Sequence, residues 1–258
     1  MGYRTIRIEE QDGVALVTLC RPEVMNALSS LMRAELLQAV TQAAQAARVI
    51  VLTGEGRGFC SGQDLGDAQG LETPDFGRIL REEYEPLLRA IATCPIPTLA
   101  AVNGPAAGAG ANLALACDVV IAAQSASFIQ AFTRIGLIPD AGGTWTLPRQ
   151  IGLARAMGAT LFADRIGAQH AADWGMIYEA VPDEAFPARW RDRAAQLATG
   201  PTTAYRALKQ ALRASSGNDF NQQLALEADL QASCGTSADF REGVAAFLEK
   251  RPPRFTGR

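Results

Sequence analysis

The sequence predicts an α/β protein, a wound β/α body followed by a helical C-terminal region. Three observations predict it. Short apolar, β-branched runs, "VIVLTG" (49–54), "PTLAAVN" (97–103) and "VVIAA" (119–123), read as buried parallel strands. Helical patterns lie between them at the spacing of wound units. Beyond about residue 142 the reading is mostly helical, apart from "MIYEAV" (176–181).

The chain opens on a hairpin: "YRTIRIEE" and "VALVTLC" alternate on either side of the turn signal Gln11-Asp12-Gly13. "RPEVMNALSS" breaks that alternation, and residues 29–46 read as an amphipathic helix. The strand at 49–54 opens into a glycine-rich loop, "GEGRGFCSGQDL" (54–65). A helix is expected over 75–93, a strand over 97–103, then a turn "GPAAGAG" leading into a helix through "ANLALACD" and a strand at 119–123. The last 60 or so residues carry three helical patterns, parted near Ser215-Ser216-Gly217 and Gly235-Thr236-Ser237. We divide the chain into a body, 1–200, and a helical region, 201–258, whose apolar faces exceed what a small appendage can bury alone.

Composition narrows the function classes. With 258 residues the chain is long enough for a sizeable core, and 48% hydrophobic with 20% charged residues is ordinary for a soluble domain. The net charge of −3 gives no electrostatic case for nucleic acid or an anionic membrane. Five dispersed cysteines without a CxxC pair argue against a disulfide framework or a zinc site and fit a reducing, cytoplasmic location. A single histidine, His170, removes most metal centres and His-based triads. The N-terminus shows no apolar leader, and the apolar stretch 98–123 is broken by Asn103, Pro105, Asn112 and Asp118, so no membrane span is expected.

The chemistry-bearing candidates are few. "FCSGQDL" (59–65) and "AAGAGAN" (106–112) each follow a buried strand and bring small residues to the start of a helix. Free N–H groups gather at such junctions and can form an oxyanion hole, although glycines there also simply make turns. The stretch from Gly108 to Leu113 departs from a dinucleotide GxGxxG at its third glycine. Cys60 beside Ser61 lacks a GxSxG setting and a histidine base, and reads as a small buried residue. Asp140, between Pro139 and Ala141-Gly142-Gly143, is either a turn or helix-capping residue or an acid–base group raised in pKa by an apolar pocket.

Five blocks, "RPEVMNAL", "GEGRGFCSGQDL", "AAVNGPAAGAGANLALACDVVIAA", "IGLIPDAGGTWTLPR" and "DFREGVAAFLEKRPPRFTGR", occur in the order and spacing of the crotonase (enoyl-CoA hydratase/isomerase) superfamily. Within it the chain resembles most the ring-1,2-epoxyphenylacetyl-CoA isomerases, whose pattern "DWGMIYEAV" also fits. The resemblance implies a crotonase-like spiral of ββα units with a C-terminal trimerisation region, assembled as a homotrimer or homohexamer. It places the oxyanion hole on the backbone amides of Gln63 and Ala109. It implies substrate contacts from Ser61, Gly62, Asp64 and Leu65 at the adenine end of the CoA pocket, with Gly110 in the second loop. Arg21, Met25 and Ala27 would lie near the pantetheine and nucleotide. Lys250 would reach the CoA phosphates of a neighbouring subunit, unless it belongs to a solvated basic tail.

Departures from the family pattern bear on the reaction. Where the family's hydratases carry two glutamates this chain has Asn112, which cannot act as a base, and Phe132, which would exclude water. Asp140 matches the carboxylate of the isomerases, with Asn112 expected to orient substrate or a water. The resemblance thus implies an acyl-CoA isomerase acting on ring-1,2-epoxyphenylacetyl-CoA, with a 3-enoyl-CoA to 2-enoyl-CoA isomerase or a hydratase-like enzyme as the alternatives. A non-enzymatic CoA-binding protein is the rival from another class. No metal or redox cofactor is implied, because CoA arrives with the substrate.

Overall fold

In a computed structural model that describes residues 2–64, 66 and 75–258, Asp12 and Gly13 both adopt positive φ, 51° and 78°. That is the backbone of a two-residue hairpin turn whose twist matches its strands. It joins β1 (Ile6–Gln11) to β2 (Val14–Leu19) in antiparallel register. Ser29 then caps α1 (Ser30–Ala46) by accepting from the Met32 N–H, and the chain returns as β3 (Val49–Gly54), parallel to β2.

After the 65–74 stretch, α2 (Phe76–Ile79) passes through a π-helical turn (Leu80–Tyr84) into α3 (Glu85–Ala92). Next come β4 (Thr98–Val102), β5 (Pro105–Ala107), α4 (Ala109–Leu115), β6 (Val119–Ala123) and β7 (Ser127–Ile129). A 3₁₀ turn (Ala131–Ile135) precedes α5 (Gly143–Leu161), followed by β8 (Ile166–Gly167), α6 (Ala168–Asp173), β9 (Glu179–Val181) and α7 (Phe186–Thr199). The main sheet has the order β1-β2-β3-β4-β6-β9, parallel from β2 onward. Its central strands are almost wholly buried, with Val51, Leu99, Ala100 and Ile121 at 0% exposure, as expected for strands covered on both faces.

A second sheet, β5-β7-β8, corrects the reading of residues 104–110 as a plain turn. Its strands have two or three residues, too short for a hydrophobic period to register. For the same reason the strand expected at 176–181 shrinks to Glu179–Val181. This small sheet matters for the site: β5 receives the Phe59 and Cys60 N–H groups on the Pro105 carbonyl, and Ala107 donates back to Cys60. The two glycine loops are therefore hydrogen-bonded side by side.

The C-terminal region is α8 (Thr202–Ala214), α9 (Phe220–Gly235) and α10 (Ala238–Glu249), parted where the sequence places its breaks. Asp118, at the mouth of β6, holds α8 to the body through Lys209 (2.5 Å) and Arg213 (2.8 Å). Beyond α8 several large apolar side chains remain uncovered, with Phe220, Phe247 and Leu248 all more than 70% exposed. Among the described residues, no helix is long and apolar enough to cross a membrane.

Candidate active site

The Gln63 N–H, the first expected hole donor, is set by a bridge. Leu28 donates to the Gly62 carbonyl (2.8 Å) and accepts from the Asp64 N–H (3.2 Å), so in this parallel pairing the Gln63 N–H points away from Leu28. The second donor comes from the start of α4, where the first N–H groups of a helix have no intrahelical partner. Among the described residues neither the Gln63 nor the Ala109 N–H has a protein acceptor.

Gly62 explains how the two come together. Its φ is +96°, and a Cβ there would lie 2.8 Å from the Ala107 carbonyl oxygen and 3.4 Å from the Ala109 nitrogen. Only glycine lets the two loops meet main chain to main chain. Gly110, expected to contact substrate, packs against Cys60: a Cβ there would fall 2.5 Å from the Cys60 carbonyl oxygen and 2.6 Å from its sulfur. Cys60 is fully buried, donates to the Asn26 carbonyl, and burial pushes its thiol up to about 12, so it stays protonated and unreactive.

Asp140 sits across from α4. Its side chain does not cap α5, whose N-cap is Gly142 with no side-chain hydrogen bond. Oδ1 is buried with no hydrogen-bond partner among the described residues. Burial raises the carboxyl from 3.8 to about 6, countered slightly by its own backbone N–H. The side chain therefore does not cap α5, and its carboxyl is part-buried and raised towards neutrality.

Asn112, expected to orient substrate or a water, braces Asp140: its Nδ2 donates to the Asp140 main-chain carbonyl (2.8 Å) and its Oδ1 accepts from Gln130 Nε2 (2.9 Å). It is 2% exposed and holds the Asp140 turn, in which Ala141 and Gly142 both have positive φ. Phe132, buried, lies beside Gly108 at the start of α4, where it keeps the approach to Ala109 apolar.

Arg21 and Asp64, expected at the CoA end, are tied to each other. Arg21 Nη1 meets Asp64 Oδ2 at 2.6 Å and also donates to the Ala27 carbonyl. Burial alone would raise the Asp64 carboxyl, but Arg21 and the Gly66 N–H outweigh it and hold it below its usual range. Met25 and Asn26 have positive φ, and buried Asn26 ties this loop to the Glu55 and Gly58 carbonyls. Ser61 is exposed, donating to the Val24 carbonyl; Ala27 is buried. Lys250 is exposed in the left-handed turn that ends α10, where its expected role requires a neighbouring subunit. Leu65 lies outside the described residues.

Sequence reasoning missed Arg33, Glu83, Tyr84 and Gln130. Arg33 carried a signal: it is a charge on the i, i+3, i+7 stripe with Leu36 and Val40, the buried side of α1. The others carried none. No group of three or more metal-binding side chains occurs among the described residues.

Two sheets wound with helices, two junctions meeting main chain to main chain and a trailing helical region define the crotonase fold. Its counterpart in the crystal structure of enoyl-CoA hydratase from Bacillus anthracis superposes with a TM-score of 0.92 at 32% identity, covering 99% of this chain and 100% of that one. Residues 9–258 match the enoyl-CoA hydratase/isomerase family, and the chain belongs to that family. A Rhodobacter capsulatus protein named "Probable enoyl-CoA hydratase" is 66% identical over 260 residues, all of both chains. The 1,2-epoxyphenylacetyl-CoA isomerase of Escherichia coli is 48% identical over 253 residues, covering 96% of this chain and 97% of that one.

Proposed function

We propose that this enzyme is an acyl-CoA isomerase with one acid–base group. The observation that carries the reading is the carboxylate of Asp140, raised towards neutrality with Oδ1 unpartnered among the described residues and its main chain braced by Asn112, which Gln130 holds in turn. The thioester carbonyl accepts from the Gln63 and Ala109 N–H groups, which stabilise the enolate as charge moves onto oxygen. Asp140 takes the proton from the α carbon and returns it to the α or γ carbon, so no atom is gained or lost. Apolar Phe132 keeps water from the enolate. The substrate we favour is 1,2-epoxyphenylacetyl-CoA, supported by the 48% identity to the Escherichia coli isomerase. A 3-enoyl to 2-enoyl shift uses the same groups.

A hydratase reading is favoured by the name of the 66% identical relative. Hydration needs a second group to activate water, and neither Asn112 nor Phe132 provides it. Exchange of the α proton in deuterium oxide, measured beside crotonyl-CoA hydration, separates the two readings. Exchange and isomerisation with negligible hydration are expected; robust hydration by the wild-type protein would overturn the isomerase assignment.

Assembly belongs to the same proposal. An open apolar groove of about 1130 Å³, lined by residues such as Leu208, Leu212, Leu224, Val244 and Phe247, runs between α8, α9 and α10. Leaving it in water is costly, and a trimer or a hexamer of two trimers covers it. Light scattering at micromolar concentration should give three or six times the monomer mass; a monomer would also remove the role given to Lys250.

A further inference from the structure

One buried guanidinium grips both flanks of the first hole donor. Arg33 Nη1 donates to Gln63 Oε1 (3.0 Å) and to the carbonyl of Leu28, the residue that bridges Gln63 through the main chain. Its Nη2 and Nε are neutralised by Glu83 Oε2 at 2.6 Å and 3.0 Å, and Ser30 donates to the same carboxylate oxygen. Arg33 is 2% exposed, so its charge is held by these partners and not by water. Tyr84 completes the cluster. Its hydroxyl donates to Gln63 Oε1 at 2.6 Å, and its ring lies under the guanidinium, 4.8 Å from the ring centre.

Glu83 and Tyr84 both come from the π-helical turn, a local geometry that recurs at functional sites. Burial keeps the Tyr84 phenol protonated; the Arg33 charge opposes this, and the nearby Asp140 carboxylate reinforces it. It therefore stays a donor to Gln63 throughout the working pH range. Gln63 Oε1 thus accepts two hydrogen bonds, while the same residue's main-chain N–H is left facing the site.

We propose that Tyr84 and Arg33 are positioning residues for the oxyanion hole, acting through the Gln63 side chain to fix the direction of the Gln63 N–H. The inference rests on the isomerase reading only in that the hole must polarise a thioester carbonyl. Tyr84→Phe removes one hydroxyl and keeps the ring over Arg33, and Gln63→Leu removes the shared acceptor while keeping the main-chain donor.

The probe is cinnamoyl-CoA, whose thioester carbonyl stretch in infrared difference spectra reads the strength of the hole. In Tyr84→Phe the red shift of the bound carbonyl should fall by about half. The variant's kcat for α-proton exchange of phenylacetyl-CoA, whose α carbon carries two sp3 C–H bonds, should fall roughly tenfold with KM within about twofold, as for an interaction that strengthens only in the transition state. Gln63→Leu should lose as much, and the double variant no more than Gln63→Leu alone, because one interaction is removed twice. An unchanged carbonyl stretch and kcat in Tyr84→Phe, or losses that multiply in the double variant, would overturn the proposal. Should Tyr84→Phe fail to fold, Gln63→Leu tests the same bond from its other end, and a wild-type carbonyl shift in that variant overturns it equally. A wild-type protein that does not bind cinnamoyl-CoA overturns this inference and the acyl-CoA reading together; polarisation of the bound carbonyl without isomerisation of a 3-enoyl-CoA or the epoxide overturns only the isomerase reading.

Discussion

The two sides of the site are built on opposite plans. The side that would hold the thioester oxygen is main chain, aimed by crowding: Gly62 against Ala107, Gly110 against Cys60, Gln63 gripped by Tyr84 and Arg33. The side that would move the proton is one carboxyl group, tuned by isolation, with an oxygen that nothing among the described residues satisfies. A main-chain donor has no side chain to tune, so its strength depends on where neighbours place it. A carboxylate is tuned by what is kept away from it. Asn112 joins the two plans, reaching from α4 to the Asp140 carbonyl.

The largest test strikes the isolated side. Asp140→Asn keeps shape and removes proton affinity, so the variant should fold, assemble and bind acyl-CoA while α-proton exchange falls by about 10² to 10⁴. Near wild-type turnover would return Asp140 to a structural role. On the crowded side, Gly62→Ala forces a Cβ into the Ala107 carbonyl at a positive φ. It should weaken turnover by roughly 10², the usual worth of one hole donor. Binding of the CoA ester should change far less, as isothermal titration would show.

Asn112→Ala cuts the link. It orphans Gln130 Nε2 and half of the acceptance at the Asp140 carbonyl, and should cost about 1–3 kcal/mol in urea unfolding. With the Asp140 turn loosened, turnover should drop roughly tenfold.

The smallest expected effect concerns pH. Asp140 must be ionised to take a proton, so kcat/KM for exchange should rise as pH passes through about 6. Stability moves the other way. Between 3.8 and about 6 the folded state keeps a proton that the unfolded chain has lost, so folding weakens as pH rises through that window. Asp140→Asn should therefore stabilise the protein by about 1–3 kcal/mol at pH 8, a gain that shrinks towards pH 4. A variant no more stable than wild type at pH 8 would show that the carboxylate is better solvated than its surroundings imply.

The sequence by itself determined the wound body and the helical tail, because long strands and helices repeat their hydrophobic pattern often enough to be read. It also singled out the two glycine loops and Asp140, since small residues at a strand-to-helix junction and an acid behind a proline are unusual along one chain, while Gln63 and Ala109 within those loops came from the family resemblance. Tertiary structure alone decided the rest. The second sheet is built of strands too short to show a period. Arg21 meets Asp64, 43 residues away, and Asn112 braces Asp140, 28 residues away. Whether Asp140 caps a helix or waits unpaired depended on which groups folding brought within reach of its oxygens. Hydrogen-bond partners distant in sequence leave no periodic trace, and a carboxylate's pKa is a property of its surroundings, which exist only once the chain has folded.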